Sequence, residues 1–209
     1  MYEVGSISSK NLINRSTLRQ RRRALSARQQ QIAATDISQC LNQLKRFQHA
    51  QRIAYYLAND GEISPQLAIN QAEKHGQQTY LPVLHPLKYN RLYFTSPRNQ
   101  PKLRLNRFGI LEPQLGINTV APVWTLDIIL LPLVGFDRGG NRMGMGGGFY
   151  DRTLAQFNVN QGNKGLKRPL LIGLAHHCQE VEQLQVQSWD IPLDIIATDK
   201  ELIRISKKR

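Results

Sequence analysis

The stretch "DIILLPLVGFDRGGNRMGMGGGFYDRTL" runs from Asp127 to Leu154. Its opening "DIILLPLVGF" is apolar nearly throughout, as a central strand covered on both faces would be. Seven glycines then fall between Gly135 and Gly148, and "FYDRTLAQF" follows as a helix beginning near Gly148. Strand, Gly-rich turn and helix in that order form the repeating unit of an α/β sheet. In such sheets the turn at the carboxyl end of a strand is where ligands bind.

The flanking sequence fits the same architecture. Residues from about Lys10 to Gln51 lack Pro and Gly and read as helical, with Ile37, Cys40, Leu41 and Leu44 on one apolar stripe. Ser26 and Gln29 form a capping-box pattern that starts a second helix there. "RIAYYLA" (Arg52 to Ala58) reads as a strand, "NDGE" as a turn, and a helix runs from Ser64-Pro65 to a stop at Gly76. Strands follow at "QTYLPVL" (Gln78 to Leu84), "PLLIGLAH" and Ile195 to Thr198, with a last short one in "ELIRIS". Pro86 to Pro122 reads as a strand-rich, antiparallel excursion, and "NVNQGNKGLKR" as a surface loop. The expected fold is an α/β sandwich around a largely parallel sheet, a single domain over 1–209. Residues 1–10 are expected to be flexible, 11–50 helical, and 205–209 a basic tail.

Composition narrows the partners. The 209 residues carry a formal net charge of +13 and 41% hydrophobic residues. The charge favours an anion, whether nucleic acid, acidic lipid or a phosphorylated or polycarboxylate small molecule. Six arginines lie between Arg15 and Arg28. No apolar run approaches the roughly 18 residues of a membrane helix, and the first residues lack the apolar core of a secretory signal. Cys40 and Cys178 give no disulfide framework. A cytoplasmic protein with no membrane partner is expected.

Glycine is entropically costly to order, so a cluster of it has a use. Two readings fit here. In one, the backbone approaches phosphate oxygens and successive N–H groups form an anion nest. Arg142 then adds a charge-assisted donor, and Asp151 faces a Mg²⁺ shared with the phosphates. In the other, the glycines serve a tight turn and close packing. The stretch is not a P-loop, since no Lys-Ser/Thr pair follows, and G-x-G-x-x-G from Gly144 fails at Phe149.

The stretch resembles the signature of the 5-formyltetrahydrofolate cyclo-ligase family, in which an upstream D-L-I-x-x-P leads into A-F-D-x-x-G-x-R-L-G-x-G-x-G-Y-Y-D-R-x-L. Asp127, Pro132, Phe136, Asp137, Gly140, Arg142, Gly144, Gly146, Gly148, Tyr150, Asp151, Arg152 and Leu154 match it. Gly135, Met143 and Phe149 replace the usual Ala, Leu and Tyr. "YLANDGEI", "YLPVLHP" and "WDIPLDIIATD" resemble other family segments, so the likeness extends from about Arg15 to Asp199.

The resemblance implies a fold similar to that of sugar-phosphate isomerases and CoA transferases. It implies ATP-dependent closure of 5-formyltetrahydrofolate, with or without further glutamates, to 5,10-methenyltetrahydrofolate, with Mg²⁺. Carried over, it places Arg142, Gly144, Gly146, Gly147, Gly148, Phe149 and Tyr150 at ATP. Arg142 and Tyr150 take the catalytic roles. The family's N-terminal Lys and Arg fall on Asn11 and Arg15 in one alignment and on Arg15 and Arg19 in another, with Lys10 adjacent. Leu57, Glu62, Phe108 and Met145, with Gly146 to Phe149, fall at the folate, and Asp151 and Asp194 at the metal. A monomer without nucleic acid is expected.

Competing readings are a basic nucleic-acid-binding protein and a same-fold homologue with another substrate. The first wants aromatics interleaved with basic residues, yet Ser16 to Arg46 contains none. "HHC" (His176 to Cys178) invites a zinc reading, but neighbouring strand residues face opposite sides and no second cluster partners them.

Overall fold

A computed structural model describes residues 14–97, 102–114, 120–157 and 167–206. The basic helix α1 (Arg15–Arg23) is capped by Asn14, whose side chain accepts from the Thr17 N–H. α2 (Ala27–Asn42) starts at Ser26 with the expected capping box to Gln29, and the short α3 (Lys45–Gln48) follows. The predicted helical region is therefore three helices. β1 (Arg52–Ala54) is shorter than its apolar run. α4 (Gln66–Lys74) begins one residue later than read, with Pro65 at its N-cap, and stops before Gly76, which has φ +83°.

β2 (Gln78–Leu84) leads into the antiparallel excursion: β3 (Leu92–Thr95), β4 (Leu103–Leu105), β5 (Leu111–Pro113) and β6 (Val120–Ala121). β7 (Ile128–Pro132) is the central strand. The apolar run does not continue as one strand, because Gly135–Phe136 forms β8, paired with β9 (Arg142–Met143) in a separate hairpin. α5 (Phe149–Leu154), β10 (Leu170–Ala175), β11 (Ile195–Thr198) and β12 (Leu202–Arg204) complete the order. The surface-loop expectation for 158–168, most of the basic tail and residues 1–10 lie largely or wholly outside the described residues.

The main sheet has the order β12-β11-β10-β7-β1-β2-β3-β6. The five strands from β11 to β2 are parallel, and β12, β3 and β6 close the edges antiparallel. Burial on both faces explains the unbroken apolar run of β7. Ile128 and Leu130 pack into one core with Ile37 and Leu41 of α2 and Ile69 of α4. Ile129 and Leu131 pack into the other, with Leu154 of α5 and Ile191 and Leu193 of the chain before β11.

The winding fixes where a ligand can enter. From β1 the chain crosses to β2 on one side, while β7 lies on β1's other side. The connection after β1 leads to α4 on one face, and the one after β7 leads to α5 on the opposite face. Two connections that part from adjacent strand ends leave a crevice there, the topological switch point of an open α/β sheet.

Candidate active site

The Gly-rich segment leaves β7 at this crevice. The buried Asp137 carboxylate fixes its first turn by accepting from the Gly139, Asn141 and Leu184 N–H groups at 2.9, 3.2 and 3.0 Å. This acid of the motif is structural. β9 then presents Arg142, whose guanidinium pairs with Asp151 and donates to the Ile191 carbonyl. Gly146 and Gly148 have φ of +93° and +63°, a region other residues rarely adopt. Gly144 has open space where a Cβ would point. α5 has only six residues, so its dipole is weak and charge neutralisation falls to arginines.

α1 supplies those arginines. Arg15 Nε donates to the Gly144 carbonyl at 3.0 Å. Arg19 and Arg22 bond the Asp60 carboxylate at 2.8 and 2.9 Å, and Arg23 pairs with it too. The guanidiniums of Arg19, Arg22 and Arg23, placed on one helical face by their i, i+3, i+4 spacing, hold Asp60 well below the usual carboxylate range against its partial burial. Asp60 sits in the turn Asn59–Glu62, closed by the Glu62 N–H on the Asn59 carbonyl at 3.0 Å. Its two central residues, Asp60 and Gly61, have positive φ, as Asp-Gly suits.

That turn carries Glu62 into the crevice. Its side chain is 13% exposed and lies 3.6 Å from Arg22. Burial pushes its carboxyl up to about 7, although Arg22 opposes the shift. Tyr150, on α5, has its phenol held far above the ordinary value by desolvation and then by Glu62. It stays protonated, a donor at neutral pH.

The β4–β5 hairpin forms a further wall. Phe108 meets Phe149 edge to face at 5.6 Å, a favourable aromatic geometry. Asn90, itself at positive φ, donates to the Gly147 carbonyl at 2.8 Å and accepts from Arg107 at 3.1 Å. Residues 181–190 form the opposite wall, with Trp189 and Val186 exposed. The walls enclose a cleft of about 2310 Å³. A single drug-sized ligand fills roughly 300–1,000 Å³, so this one has room for two.

Most of the predicted site residues meet here. Arg15, Arg19, Leu57, Glu62, Phe108, Arg142, Gly144, Met145, Gly146, Gly147, Gly148, Phe149, Tyr150 and Asp151 all line the cleft. Lys10 lies outside the described residues. Arg19 reaches the wall with its guanidinium engaged by Asp60. Asp194 departs from expectation. It precedes β11 at the amino ends of the parallel strands, away from the cleft, because its position is registered beside Leu171 at the start of β10. There its carboxylate accepts from Arg168 at 2.8 Å and from the Leu171 N–H at 2.9 Å. Asp190 also lines the cleft, directly before Ile191, whose N–H lies 3.5 Å from Asp151 Oδ1.

Sequence reading passed over Arg22, Asp60, Asn90 and the 181–190 wall. The helical spacing of the arginines and the "NDGE" turn were signals for the first two. Nothing local marks Asn90. Among the described residues, His177, Glu180 and Glu201 come close enough to share a metal, but Arg138 already bridges the two carboxylates.

A largely parallel α/β sheet with a Gly-rich loop and a large cleft at its switch point defines the class of ligand-binding α/β proteins. Comparison with known proteins makes this specific. Residues 7–199 match the model of the 5-formyltetrahydrofolate cyclo-ligase family. The chain is 40% identical over 185 residues to the 5-formyltetrahydrofolate cyclo-ligase of Escherichia coli (strain K12), covering 88% of this chain and 98% of that one. It is 42% identical over 179 residues to the Haemophilus influenzae protein of the same name, covering 86% and 92%. The solved 5,10-methenyltetrahydrofolate synthetase of Aquifex aeolicus superposes with a TM-score of 0.75 at 27% identity, over 93% of this chain and 92% of that one. The chain belongs to the 5-formyltetrahydrofolate cyclo-ligase family.

Proposed function

We propose that this chain converts 5-formyltetrahydrofolate and ATP to 5,10-methenyltetrahydrofolate, ADP and phosphate. The observation that carries the reading is the single cleft, in which the Gly-rich loop and Arg15 face the same space as Leu57, Glu62 and Phe108. ATP phosphates lie along Gly144 to Gly148, near Arg15 and Arg142. The folate lies between Leu57, Glu62, the Phe108–Phe149 pair and Met145.

The formyl group on N5 is amide-like and a poor electrophile. Its oxygen attacks the γ-phosphorus, the bond to ADP breaks, and the oxygen becomes part of a phosphate leaving group. N10 then attacks the formyl carbon and loses its proton. Phosphate departs with the former formyl oxygen, leaving the methenyl bridge. Phosphoryl transfer depends on alignment and charge neutralisation. Arg142 and Arg15 supply cations, and the open backbone around Gly144 admits the phosphate closely. The protonated Tyr150 hydroxyl orients an acceptor beside Glu62, and the ionised Glu62 accepts hydrogen bonds from the folate.

Asp151 suits Mg²⁺, a hard cation that takes one or two carboxylates beside phosphate oxygens. Its carboxylate lines the cleft and is paired with Arg142, so a bound Mg²⁺ would share it with, or take it from, that guanidinium. When bound, Mg²⁺ supplies charge neutralisation at the phosphates. Asp194, held by Arg168 and the Leu171 N–H, is left out of this reading of the metal site.

The test is absorbance of the methenyl product with 5-formyltetrahydrofolate, with and without ATP and Mg²⁺. Product should form only when ATP is present. No product at saturating substrates would sink the assignment.

A further inference from the structure

We propose that Arg22 is a positioning residue of this site: one buried guanidinium that fixes the Glu62 turn to the strand end from which the Gly-rich loop departs. The inference rests on the reading of Glu62 as a folate contact.

Arg22 is 0% exposed. Its Nη1 donates to the Leu133 carbonyl at 3.0 Å, its Nε to the Asp60 carbonyl at 2.8 Å, and its Nη2 to the Asp60 carboxylate at 2.9 Å. The same Nη2 lies 3.6 Å from Glu62 Oε1. Leu133 directly follows β7, whereas Asp60 and Glu62 follow β1. One side chain therefore spans the switch-point crevice. Only a planar, multi-donor fork serves these divergent acceptors, and a lysine ammonium would not.

Asp60 is shared among Arg19, Arg22 and Arg23, so Glu62 is the second carboxylate beside the buried Arg22 cation. The pairing matters for Glu62. Facing it are Arg22 from α1, Asp60 and the Asn59 N–H from its own turn, Tyr56 beyond β1, and Tyr150 from α5. The Asn59 N–H donates to Glu62 Oε2 at 3.1 Å. Burial and the neighbouring Asp60 oppose the carboxylate anion, whereas Arg22, the cation beside it, and the Asn59 N–H favour it. Losing Arg22 thus both frees the turn and discourages the ionised form.

The experiment is the pH profile of kcat/KM for 5-formyltetrahydrofolate at saturating ATP, with separate KM values for both substrates. In R22M the acid limb should move up by about one pH unit and folate KM should rise about tenfold, while ATP KM stays within twofold. R22K should keep the limb near its wild-type position and recover part of the folate KM. E62Q should lack the limb, and R22M/E62Q should lose little beyond E62Q alone. R22Q, neutral but able to hydrogen-bond, takes the place of R22M if that variant does not fold, with the same expected shift. A folded neutral variant with a wild-type limb and folate KM, or with ATP KM rising in step, overturns the inference. An inert wild-type protein overturns the proposed function itself, and the inference with it, before any variant is made.

Discussion

Arg15 Nε donates to the Gly144 carbonyl at 3.0 Å, joining residues 129 positions apart in the chain. The bond lays the first turn of the basic helix against the Gly-rich loop and leaves the rest of the guanidinium available at the cleft wall. R15A should therefore raise the KM for ATP about tenfold, the loss of about 1.4 kcal/mol, with folate KM nearly unchanged. R15K should recover part of the loss. Initial rates at varied ATP decide it. Equal rises in both KM values would mean that Arg15 only anchors the loop.

The glycines of the loop separate into two kinds. Gly148 has φ +63°, and a Cβ there would meet Arg152 Nη1 at 2.6 Å. G148A should cost about 1–2 kcal/mol of stability. Gly144 leaves open space at its Cβ position, so G144A should change stability by less than about 0.5 kcal/mol yet weaken ATP. Urea melts and ATP KM values test both. A G144A protein with wild-type ATP KM would falsify close approach of phosphate at that residue.

Glu62 predicts an unusual pH dependence of stability. Its carboxyl is pushed up to about 7 in the fold, chiefly by burial, against roughly 4.3 when unfolded. The folded chain thus binds more protons between those values. The contribution is complete below the unfolded pKa and is lost as pH rises through the folded one. Relative to E62Q, the wild type should lose about 2–3 kcal/mol between pH 4.5 and pH 7.5. Urea midpoints across that range provide the check, and parallel curves for the two proteins would refute it.

Asp151 and Asp194 should behave differently. The Asp151 carboxylate faces the cleft and pairs with Arg142, whereas Asp194 is held by Arg168 at the other end of the strands. D151N should raise half-saturating Mg²⁺ about tenfold, consistent with loss of one ligand. D194N should leave the Mg²⁺ titration unchanged and lower stability instead, since it disturbs a part-buried ion pair. The reverse pattern would move the metal to Asp194.

The alternation of strands and helices was legible because burial on both faces writes itself into an apolar run, as in β7, and because caps such as Ser26-Gln29 are local chemistry. Strand lengths were less legible. β1 stops at Ala54 although the apolar residues continue through Leu57: the Tyr55 N–H still bonds the Tyr80 carbonyl, and Tyr56 and Leu57 then turn to line the cleft. The 127–136 run breaks after Pro132 because the carbonyl of Leu133 is taken by Arg22 and Gln179 instead of a neighbouring strand.

By itself the sequence determined the parallel α/β plan, the Gly-rich turn after the central strand, and a motif specific enough to mark the family. Periodicity, capping and a contiguous motif depend on neighbours in the chain, so they can be read along it. Tertiary structure decided which charges meet. It spent Arg19, Arg22 and Arg23 on Asp60, kept Asp194 away from Asp151, and set Glu62 beside Arg22 in a buried crevice. Those outcomes depend on strand order and on the faces taken by α4 and α5. Burial and charge pairing act through space, between residues that the sequence leaves far apart.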